Sequence, residues 1–504
     1  MKFSQLSQLV VVCLCVLGAP CVVAQAPLPT PTGERVVLGN ASVQADRYEL
    51  GQRQRAAEAA WDAQPQPEKR LDAIVHLNRA VKALFSLNLA EAGRSLDEAR
   101  FTLSEPLTPF ALWAESACFV PSTRLLDAAE AELAFAVRTL YEAKSGIQPR
   151  DARLKITVLR DGKATGKAQE FPLPTLPINS TLSLKGLGEG DYTLRLEFKL
   201  NTQTLTVSEQ TLSLINRPAA RITQLQQLAN LSKTPTTDSE TARALGAMLF
   251  LMWQRQLPET NLPFARLLAE AELAANLSRI NSVHGGAYYG LRRPGQYWLT
   301  LATASGAVAT RVQAPESVKA SQPLPLVIAL HGAGGSENSV FDGYGRGAMA
   351  ELCAQRGWLL VAPRGTMGFT PLRTAEIIDA VDKLYPVDRY RVFLVGHSLG
   401  ATQAIASVQA APLRYAGVAA LGSGGSVIGG IGVENMSFFI GVGTEDFIAY
   451  QNARKLAYDL KRANVKTVRL REYREIEHLM IVPTALPDVF AYFDDLAARV
   501  PALR

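Results

Sequence analysis

The chain has little cysteine and histidine, and no spacing of the two that is typical of a metal site. Among its 504 residues are five cysteines and five histidines. Three of the cysteines lie in the amino-terminal segment, so only Cys118 and Cys353 belong to the rest of the chain. A disulfide-stapled fold is therefore excluded, and two buried free thiols are expected. We expect neither a metal nor another cofactor.

The chain also lacks concentrated charge and long apolar runs. Its net charge of +6 is spread out, with no block of Lys or Arg longer than a pair, which argues against nucleic-acid binding. Hydrophobic residues make up 48% and charged residues 19% of the chain. This composition excludes a disordered protein, and the length suffices for about two to four domains with cores of their own.

The amino terminus has the features of a secretory leader. Lys2 precedes an apolar stretch over residues 9–17, and Ala24-Gln25-Ala26 supplies the small-x-small pattern of a cleavage site. The apolar stretch is too short to span a membrane comfortably. We therefore expect residues 1–26 to be a signal peptide, the protein to be exported to the periplasm or beyond, and no stable membrane insertion after cleavage. An uncleaved anchor is the alternative.

Helical periodicity predicts a helical region over residues 27–149. Within residues 70–89 one apolar face is predicted, formed by Leu71, Ile74, Val75, Val81, Leu84 and Phe85. A second helix is predicted over residues 122–144, with in-register apolar residues Leu126, Leu133, Val137, Leu140 and Tyr141. These patterns are typical of a helical bundle or of helical hairpins.

The pattern changes at residue 150. Apolar residues alternate at 154, 156 and 158 and again from Tyr192 to Phe198, and Asp161-Gly162 is typical of a hairpin turn. A small β-sandwich-like module is predicted over residues 150–216, serving as a spacer or binding a polymer or surface partner. Residues 217–282 return to a helical pattern, and whether these helices pack with the amino-terminal ones stays open.

The most informative motif is Gly396-His397-Ser398-Leu399-Gly400. It follows the apolar run of residues 392–395 and precedes a helix-forming stretch, which is the strand, turn and helix order of a nucleophile elbow. Glycines are needed on both sides of the serine because the backbone of such a turn is strained and crowded. The alternative is an ordinary serine that caps a helix and has no catalytic role.

Three further segments complete a constellation around Ser398. The apolar run of residues 325–330 ends in His331-Gly332-Ala333-Gly334-Gly335, whose free amides are suited to an oxyanion. Asp446 follows the strand-like residues 438–442, and His478 follows those of residues 468–473. The order serine, aspartate and histidine is that of one hydrolase fold. Glu445 and Glu477 are the rival acids.

With these motifs the chain resembles the α/β-hydrolase superfamily, most closely secreted esterases of the polyhydroxybutyrate-depolymerase, feruloyl-esterase and acetyl-esterase type. The resemblance covers roughly residues 290 to 500, within a catalytic domain predicted over residues 283–504. The matching pieces are His331 to Gly335, Phe341 to Gly345, Trp358 to Gly365, the Ser398 turn, Gly443 to Asp446 and His478. The chain departs from many relatives at Ala401 and at Glu477, where they carry glycine.

The resemblance implies an α/β fold, with a mostly parallel sheet and helices on both faces. It also implies a serine esterase without a cofactor, in which Ser398 attacks, His478 transfers the proton and Asp446 orients the histidine. The backbone amides of Ala333 and Leu399 would form the oxyanion hole. Small-molecule or polymer-linked esters are the expected substrates.

Two alternatives stay open. One is a peptidase related to prolyl oligopeptidase, since the same triad cleaves amides, although no β-propeller repeat precedes the catalytic domain. The other is a surface interaction protein whose hydrolase-like domain does not catalyse. The glycine-rich residues 422–432 lack the spacing of a nucleotide-binding loop. We expect them to line the pocket at the carboxyl edge of the sheet, with Thr366, Met367 and Phe369 as further candidates. Oligomeric state is not predicted.

Overall fold

The computed structural model describes residues 41–104, 108–143, 150–230, 235–254, 261–284, 288–365, 373–425, 427 and 432–499. The predicted signal peptide, residues 1–26, lies outside these ranges, as do Thr366, Met367 and Phe369. In the ranges described, no helix combines the length and apolar character needed to cross a membrane.

Three helices open the described chain: α1 (Ala41–Ala63), α2 (Pro67–Phe85) and α3 (Leu89–Leu103). The helix predicted over residues 70–89 corresponds to α2, which ends at Phe85. Asn88 then caps α3, because its side chain accepts from the Glu91 amide. The predicted apolar face is partly wrong. Val75 is 66% exposed and Leu71 41%, whereas small side chains of α2, including Ala73 and Ala80, are buried. Alanines permit close packing against α3, so the buried face is rotated from the one the large residues indicate.

The predicted helix over residues 122–144 is wrong. The segment follows the short helix α4 (Pro109–Ser116) and contributes strands β2 (Leu125–Asp127) and β3 (Glu132–Thr139), after β1 (Ala117–Pro121). Along β3, burial alternates at Leu133, Phe135 and Val137, while β1 and β7 pair with its two edges. Alanine and glutamate favour a helix locally, but pairing on both edges and a period of two decide the structure. The β module therefore begins at Ala117, not at residue 150.

The remaining strands of this module are β4 (Ala152–Arg160), β5 (Lys163–Ala164), β6 (Gln169–Pro172), β7 (Ile178–Ser183), β8 (Gly190–Leu200) and β9 (Gln203–Ile215). One sheet has the order β1-β3-β7, and the other has the order β2-β9-β8-β4-β5 with β6 beside β4. Apolar side chains of both sheets share one core, so the two sheets form a sandwich. Asp161 and Gly162 have φ angles of 51° and 76°, which the predicted hairpin turn requires.

Helices α5 (Pro218–Asn230), α6 (Thr237–Trp253) and α7 (Phe264–His284) follow the sandwich. They share a core with one another that includes residues of β2 and β9 and contacts Trp298. The amino-terminal helices instead contribute Ala57, Trp61 and Leu77 to a core under the large sheet described next. The two helical regions therefore pack on separate cores, which answers the question that the sequence leaves open.

The carboxyl-terminal domain is built on the strands β10 (Gly295–Thr303), β11 (Gly306–Ala314), β12 (Leu324–Leu330), β13 (Leu359–Pro363), β14 (Val387–His397), β15 (Gly417–Leu421), β16 (Ser437–Gly443) and β17 (Thr467–Tyr473). Their order is β10-β11-β13-β12-β14-β15-β16-β17. Strands β12 to β17 run parallel, and β10 and β11 are antiparallel additions at one edge.

Helices cover both faces of this sheet. They are α8 (Asn338–Phe341), α9 (Tyr344–Arg356), α10 (Thr374–Asp382), α11 (Leu399–Ala410), α12 (Tyr450–Arg462) and α13 (Ile481–Arg499). Helices α10, α11 and α12 share one core with the sheet, whereas α9 and α13 share the other with α1, α2 and α3. The predicted α/β class, with a mostly parallel sheet between helices, is confirmed. The amino-terminal helices thus cover one face of the large sheet.

Candidate active site

Ser398 lies on a sharp turn between β14 and α11. Its backbone has φ 52° and ψ −118°, which is strained for a residue with a side chain. The turn is crowded, because a Cβ on Gly396 would lie 2.3 Å from the carbonyl oxygen of Gly400. A Cβ on Gly400 would in turn lie 2.3 Å from the Leu330 carbonyl oxygen in β12. Both contacts are with backbone, so only glycine fits at either position.

The structure brings Ser398, Asp446 and His478 together. Ser398 Oγ lies 3.1 Å from His478 Nε2, and His478 Nδ1 lies 2.9 Å from Asp446 Oδ2. Asp446 is fully buried and His478 is 4% exposed, while Ser398 is half-buried and so partly open to solvent. Because Asp446 is at the end of the chain of contacts and Ser398 at its open side, the serine is the member that an outside molecule can reach.

Asp446 is held in one orientation by its own loop. Its Oδ1 accepts the amides of Ile448 and Ala449 at 3.0 and 2.9 Å, which leaves Oδ2 for His478 Nδ1. A carboxylate that accepts from Nδ1 requires the proton on that nitrogen. The lone pair of Nε2 is therefore free to accept from the hydroxyl of Ser398.

The rival acids have different surroundings. Glu445 is exposed. Glu477 is fully buried, but its carboxylate accepts the amides of Leu479 and Met480, at 2.8 and 2.9 Å. Burial raises the pKa of Glu477 to about 7. The glutamate that replaces the glycine of many relatives thus bridges to the start of the following helix and holds the loop that carries His478.

The predicted oxyanion turn lies against Ser398. A Cβ on Gly332 would lie 3.3 Å from Ser398 Cβ, so the turn and the nucleophile are in close contact. Leu399 is the first residue of α11, and an amide at this helix position has no intrahelical acceptor. The amide of Gly332 is already used, since it donates to the hydroxyl of Tyr344 at 3.0 Å. Ala333, next along the turn, is half-buried.

His331 stabilises this turn through hydrogen bonds of both of its ring nitrogens. Its Nδ1 lies 2.8 Å from the Gly332 carbonyl oxygen, and its Nε2 accepts the amide of Gly365 at 2.9 Å. These partners require a neutral ring with the proton on Nδ1. Burial lowers the pKa of His331, which agrees with a neutral ring. His331 therefore ties the turn after β12 to the segment after β13.

Two residues without a role in the sequence-based account connect the turn to the histidine loop. Tyr344 Oη lies 3.1 Å from His397 Nδ1, and His397 Nε2 lies 3.0 Å from the carbonyl oxygen of His478. Burial lowers the pKa of His397 to about 3. Tyr344 lies in a motif that matches relatives, Phe341 to Gly345, but nothing in its spacing indicates a contact with the elbow.

The start of the glycine-rich loop lies beside the site. Gly422 follows β15, and a Cβ there would lie 3.4 Å from Asp446 Oδ2. Thr402 Oγ1 and Ser423 Oγ are 2.9 Å apart, which joins the loop to α11. This agrees with the predicted place at the carboxyl edge of the sheet. Residues 426 and 428–431 of the predicted pocket lining lie outside the described ranges.

No cluster of three or more His, Cys, Asp and Glu side chains suited to a metal occurs among the described residues. Cys118 and Cys353 are both free and buried, as predicted. The only polar chemistry that the geometry assembles around Ser398 in the described part of the chain is hydroxyl, imidazole, carboxylate and backbone amide.

Comparison with known proteins finds one family match. Residues 327–504 match the family model described as the alpha/beta hydrolase family. No curated protein matches the sequence.

Several solved structures are similar to part of this chain. The fluorophosphonate-binding serine hydrolase FphF of Staphylococcus aureus is 16% identical, with a TM-score of 0.33 over 40% of this chain and 99% of its own. The feruloyl esterase module of Clostridium thermocellum is 14% identical, with a TM-score of 0.34 over 40% of this chain and 91% of its own. A thermostable esterase is 12% identical, with a TM-score of 0.37 over 75% of this chain and 99% of its own. Such low identities do not extend the activities of those proteins to this chain.

Proposed function

Because the carboxyl-terminal domain of this chain is an α/β-hydrolase domain, we propose that the protein is an exported serine hydrolase that cleaves carboxylic esters through an acyl-enzyme intermediate. The observation that carries the proposal is the run of contacts from Ser398 Oγ to His478 Nε2, 3.1 Å, and from His478 Nδ1 to Asp446 Oδ2, 2.9 Å. It starts at a strained, partly open serine and ends at a buried carboxylate, as nucleophilic catalysis requires.

In the proposed reaction Ser398 Oγ attacks the ester carbonyl carbon while His478 Nε2 takes its proton. Asp446 stabilises the imidazolium that forms. The carbonyl oxygen becomes an oxyanion and accepts the amides of Ala333 and Leu399, each contributing about 3 to 4 kcal/mol to the transition state. Collapse of this intermediate breaks the bond to the alcohol, and His478 returns the proton to the alcohol oxygen. Water then repeats the sequence on the acyl-serine.

The substrate class rests on the resemblance of the site motifs to secreted esterases, and the substrates are small-molecule or polymer-linked esters. Acyl preference depends on pocket shape and on the loops that follow the strands. The β-sandwich, over residues 117–215, is proposed to be a spacer. The alternative is a module that binds a polymer or a surface partner.

Export is proposed from the leader-like sequence alone: Lys2, the apolar residues 9–17 and Ala24-Gln25-Ala26. Intact-mass measurement of protein recovered from the periplasm or medium of an expressing cell tests it. Loss of the first 24 or 26 residues is expected. A full-length chain in the membrane fraction would favour the uncleaved anchor.

The enzymatic proposal is tested on the purified mature chain with short-chain activated esters and a fluorophosphonate. We expect hydrolysis and covalent labelling by the wild type, and neither by Ser398→Ala. Ser407→Ala, in the helix that follows Ser398, is the matched control and should keep both reactions. Absence of both reactions in the wild type across neutral pH would refute the proposal and favour the non-catalytic alternative.

Substrate class is settled by comparing acetyl, feruloyl and hydroxyalkanoate esters with a peptide substrate on one preparation. We expect the kcat/KM of the best of these esters to exceed the kcat/KM of the peptide. Preferential cleavage of the peptide would support the prolyl-oligopeptidase-like alternative instead.

A further inference from the structure

We propose that Tyr344 is a positioning residue, whose hydroxyl links the oxyanion turn to the backbone of His478 through His397. This inference rests on the proposed function, because it assigns to Tyr344 the alignment of two groups used in that reaction. The four linked residues, Gly332, Tyr344, His397 and His478, are called the relay.

The direction of every hydrogen bond in the relay is fixed by its ends. The Gly332 amide can only donate, and it donates to Tyr344 Oη at 3.0 Å. The His478 carbonyl oxygen can only accept, so the proton of His397 is on Nε2, 3.0 Å away. His397 Nδ1 is then an acceptor, and the hydroxyl of Tyr344 donates to it at 3.1 Å. Each group satisfies its neighbour, and none can reverse alone.

The relay is buried and tightly packed. Tyr344 is 6% exposed and His397 is 7% exposed, and their rings meet edge to face with centroids 5.4 Å apart. The low pKa of His397, about 3, keeps its ring neutral throughout the pH range of the proposed reaction. Burial also raises the pKa of Tyr344, so the hydroxyl keeps its proton. Water has little access, and a missing hydroxyl would leave two buried polar groups without a partner.

Tyr344 lies at the start of α9, where the backbone is not helical but forms a left-handed turn that glycine makes feasible. Tyr344, Gly345, Arg346 and Gly347 have φ angles of 38°, 69°, 58° and 83°. A Cβ on Gly347 would lie 2.2 Å from the Phe341 carbonyl oxygen, so the turn depends on that glycine. These four successive left-handed residues are costly, and other contacts must stabilise them.

The amino-terminal helices supply such a contact. Glu58, in α1, is 1% exposed and accepts the amide of Gly345 at 3.2 Å. Asn78, in α2, donates to the carbonyl oxygen of Glu445 at 3.1 Å, next to Asp446. The amino-terminal helical region thus contacts both the relay turn and the acid loop, and it supports the site rather than serving as a separate module.

The expected catalytic effect follows from what the relay joins. The turn carries the amide proposed to bind the oxyanion, and His478 moves the proton, so both must be aligned in the same transition state. Ground-state binding of a short ester depends on neither. Loss of the alignment should therefore lower kcat and leave KM nearly unchanged.

Tyr344→Phe removes the hydroxyl and keeps the ring. We expect kcat for an activated ester to fall by about 10- to 100-fold, the size expected for a small misplacement of reacting groups, with KM changed less than about threefold. The matched control is Tyr415→Phe. Tyr415 is 6% exposed, and its hydroxyl lies 2.5 Å from Thr374 Oγ1, so this variant also loses a buried tyrosine contact. It should be destabilised comparably and keep its kcat.

A conservative variant separates positioning from bulk packing. His397→Gln keeps one donor and one acceptor, whereas His397→Leu keeps neither. We expect kcat in the order wild type, glutamine variant, leucine variant. Equal kcat for the two variants, or a wild-type kcat in Tyr344→Phe, would overturn the relay.

Amide hydrogen exchange tests the relay without using activity. Tyr344→Phe should accelerate exchange in the peptide that contains Gly332, since that amide loses its acceptor, and Tyr415→Phe should not. Unchanged exchange would overturn the relay even in an active enzyme. A wild type inert to esters and fluorophosphonate, with accelerated exchange in Tyr344→Phe, would instead refute the proposed function while leaving the hydrogen bonds in place.

Discussion

Replacing Asp446 by Asn tests the account through the tautomer of His478. The new side chain has one acceptor and one donor. Its oxygen is expected at the position of Oδ1, because the amides of Ile448 and Ala449 both donate there. Its NH2 group then faces His478 Nδ1 and donates to it. The proton of the imidazole moves to Nε2, which can no longer accept from Ser398.

The size of the loss is bounded by the cost of turning the amide round. The reversed side chain restores the useful tautomer but leaves two buried amides facing a donor, at about 1 to 3 kcal/mol each. At the lower limit, about 2 kcal/mol, only roughly one molecule in 30 has the useful tautomer. If reversal is negligible, the loss approaches the value of about 10⁴-fold known for the equivalent change in a serine protease. We therefore expect kcat of Asp446→Asn to fall between about 30-fold and 10⁴-fold.

The assay is steady-state hydrolysis of an activated ester, with folding checked by thermal unfolding. The matched control is Asp388→Asn, because Asp388 is also buried, accepts the amide of Tyr390 and pairs with Arg391. The control should lose stability and keep kcat. A kcat of Asp446→Asn within about tenfold of the wild type would refute the assignment of Asp446 and the tautomer reasoning.

Three further predictions concern the elbow, the relay and the thiols. Gly400→Ala should lower kcat/KM of ester hydrolysis by at least about 100-fold, whereas Gly166→Ala, where a Cβ has nothing within 4 Å, should not change it; equal rates would contradict the crowding argument. Burial lowers the pKa of His397 to about 3, so between about pH 6.5 and pH 3 the unfolded chain binds a proton that the native chain does not. As the pH is lowered through this range, the free energy of unfolding measured with urea should decrease by up to about 1.4 kcal/mol per pH unit. The free energy of unfolding of His397→Gln should decrease less steeply as the pH is lowered. Parallel pH profiles of the variant and the wild type would count against a neutral buried ring. Burial raises the pKa of both Cys118 and Cys353, so a thiol reagent should modify them only on unfolding, and rapid modification of native protein would contradict their burial.

The residues of the candidate site could be predicted because each lies within five residues of the end of a strand. Ser398, Asp446 and His478 all lie at the carboxyl edge of a parallel sheet, where successive strand ends meet. Short apolar runs identify the strands, and polar residues after them identify the site. The order of the elements along the chain is sufficient for this prediction, and no side-chain contact has to be known.

The supporting residues could not be predicted because their contacts are distant in sequence and leave no local pattern. Glu58 and Gly345 are 287 positions apart, and the glutamate lies in an ordinary helix. His397 is at a variable position of the Gly-x-Ser-x-Gly motif, so the motif itself gives no reason to assign it a role. Its contact with the His478 backbone exists only once the sheet has formed.

The helix predicted over residues 122–144 shows where local preference fails. Leu133 and Val137 are four apart, a spacing that suits one face of a helix and also one face of a strand. Phe135, between them, is 4% exposed, and only the strand buries all three. The alternation of apolar residues is present in the sequence, but the surrounding alanines and glutamates favour a helix. Pairing of β3 with β1 and β7 overrides this local preference.

The central claim is that Ser398 is an activated nucleophile, and mass mapping of the fluorophosphonate adduct tests it most directly. The purified chain is labelled, digested and sequenced by tandem mass spectrometry. We expect one stoichiometric phosphonyl group on Ser398, formed at a much lower rate in Asp446→Asn and absent in Ser398→Ala. Labelling at another serine, or undiminished labelling of Ser398→Ala, would contradict it.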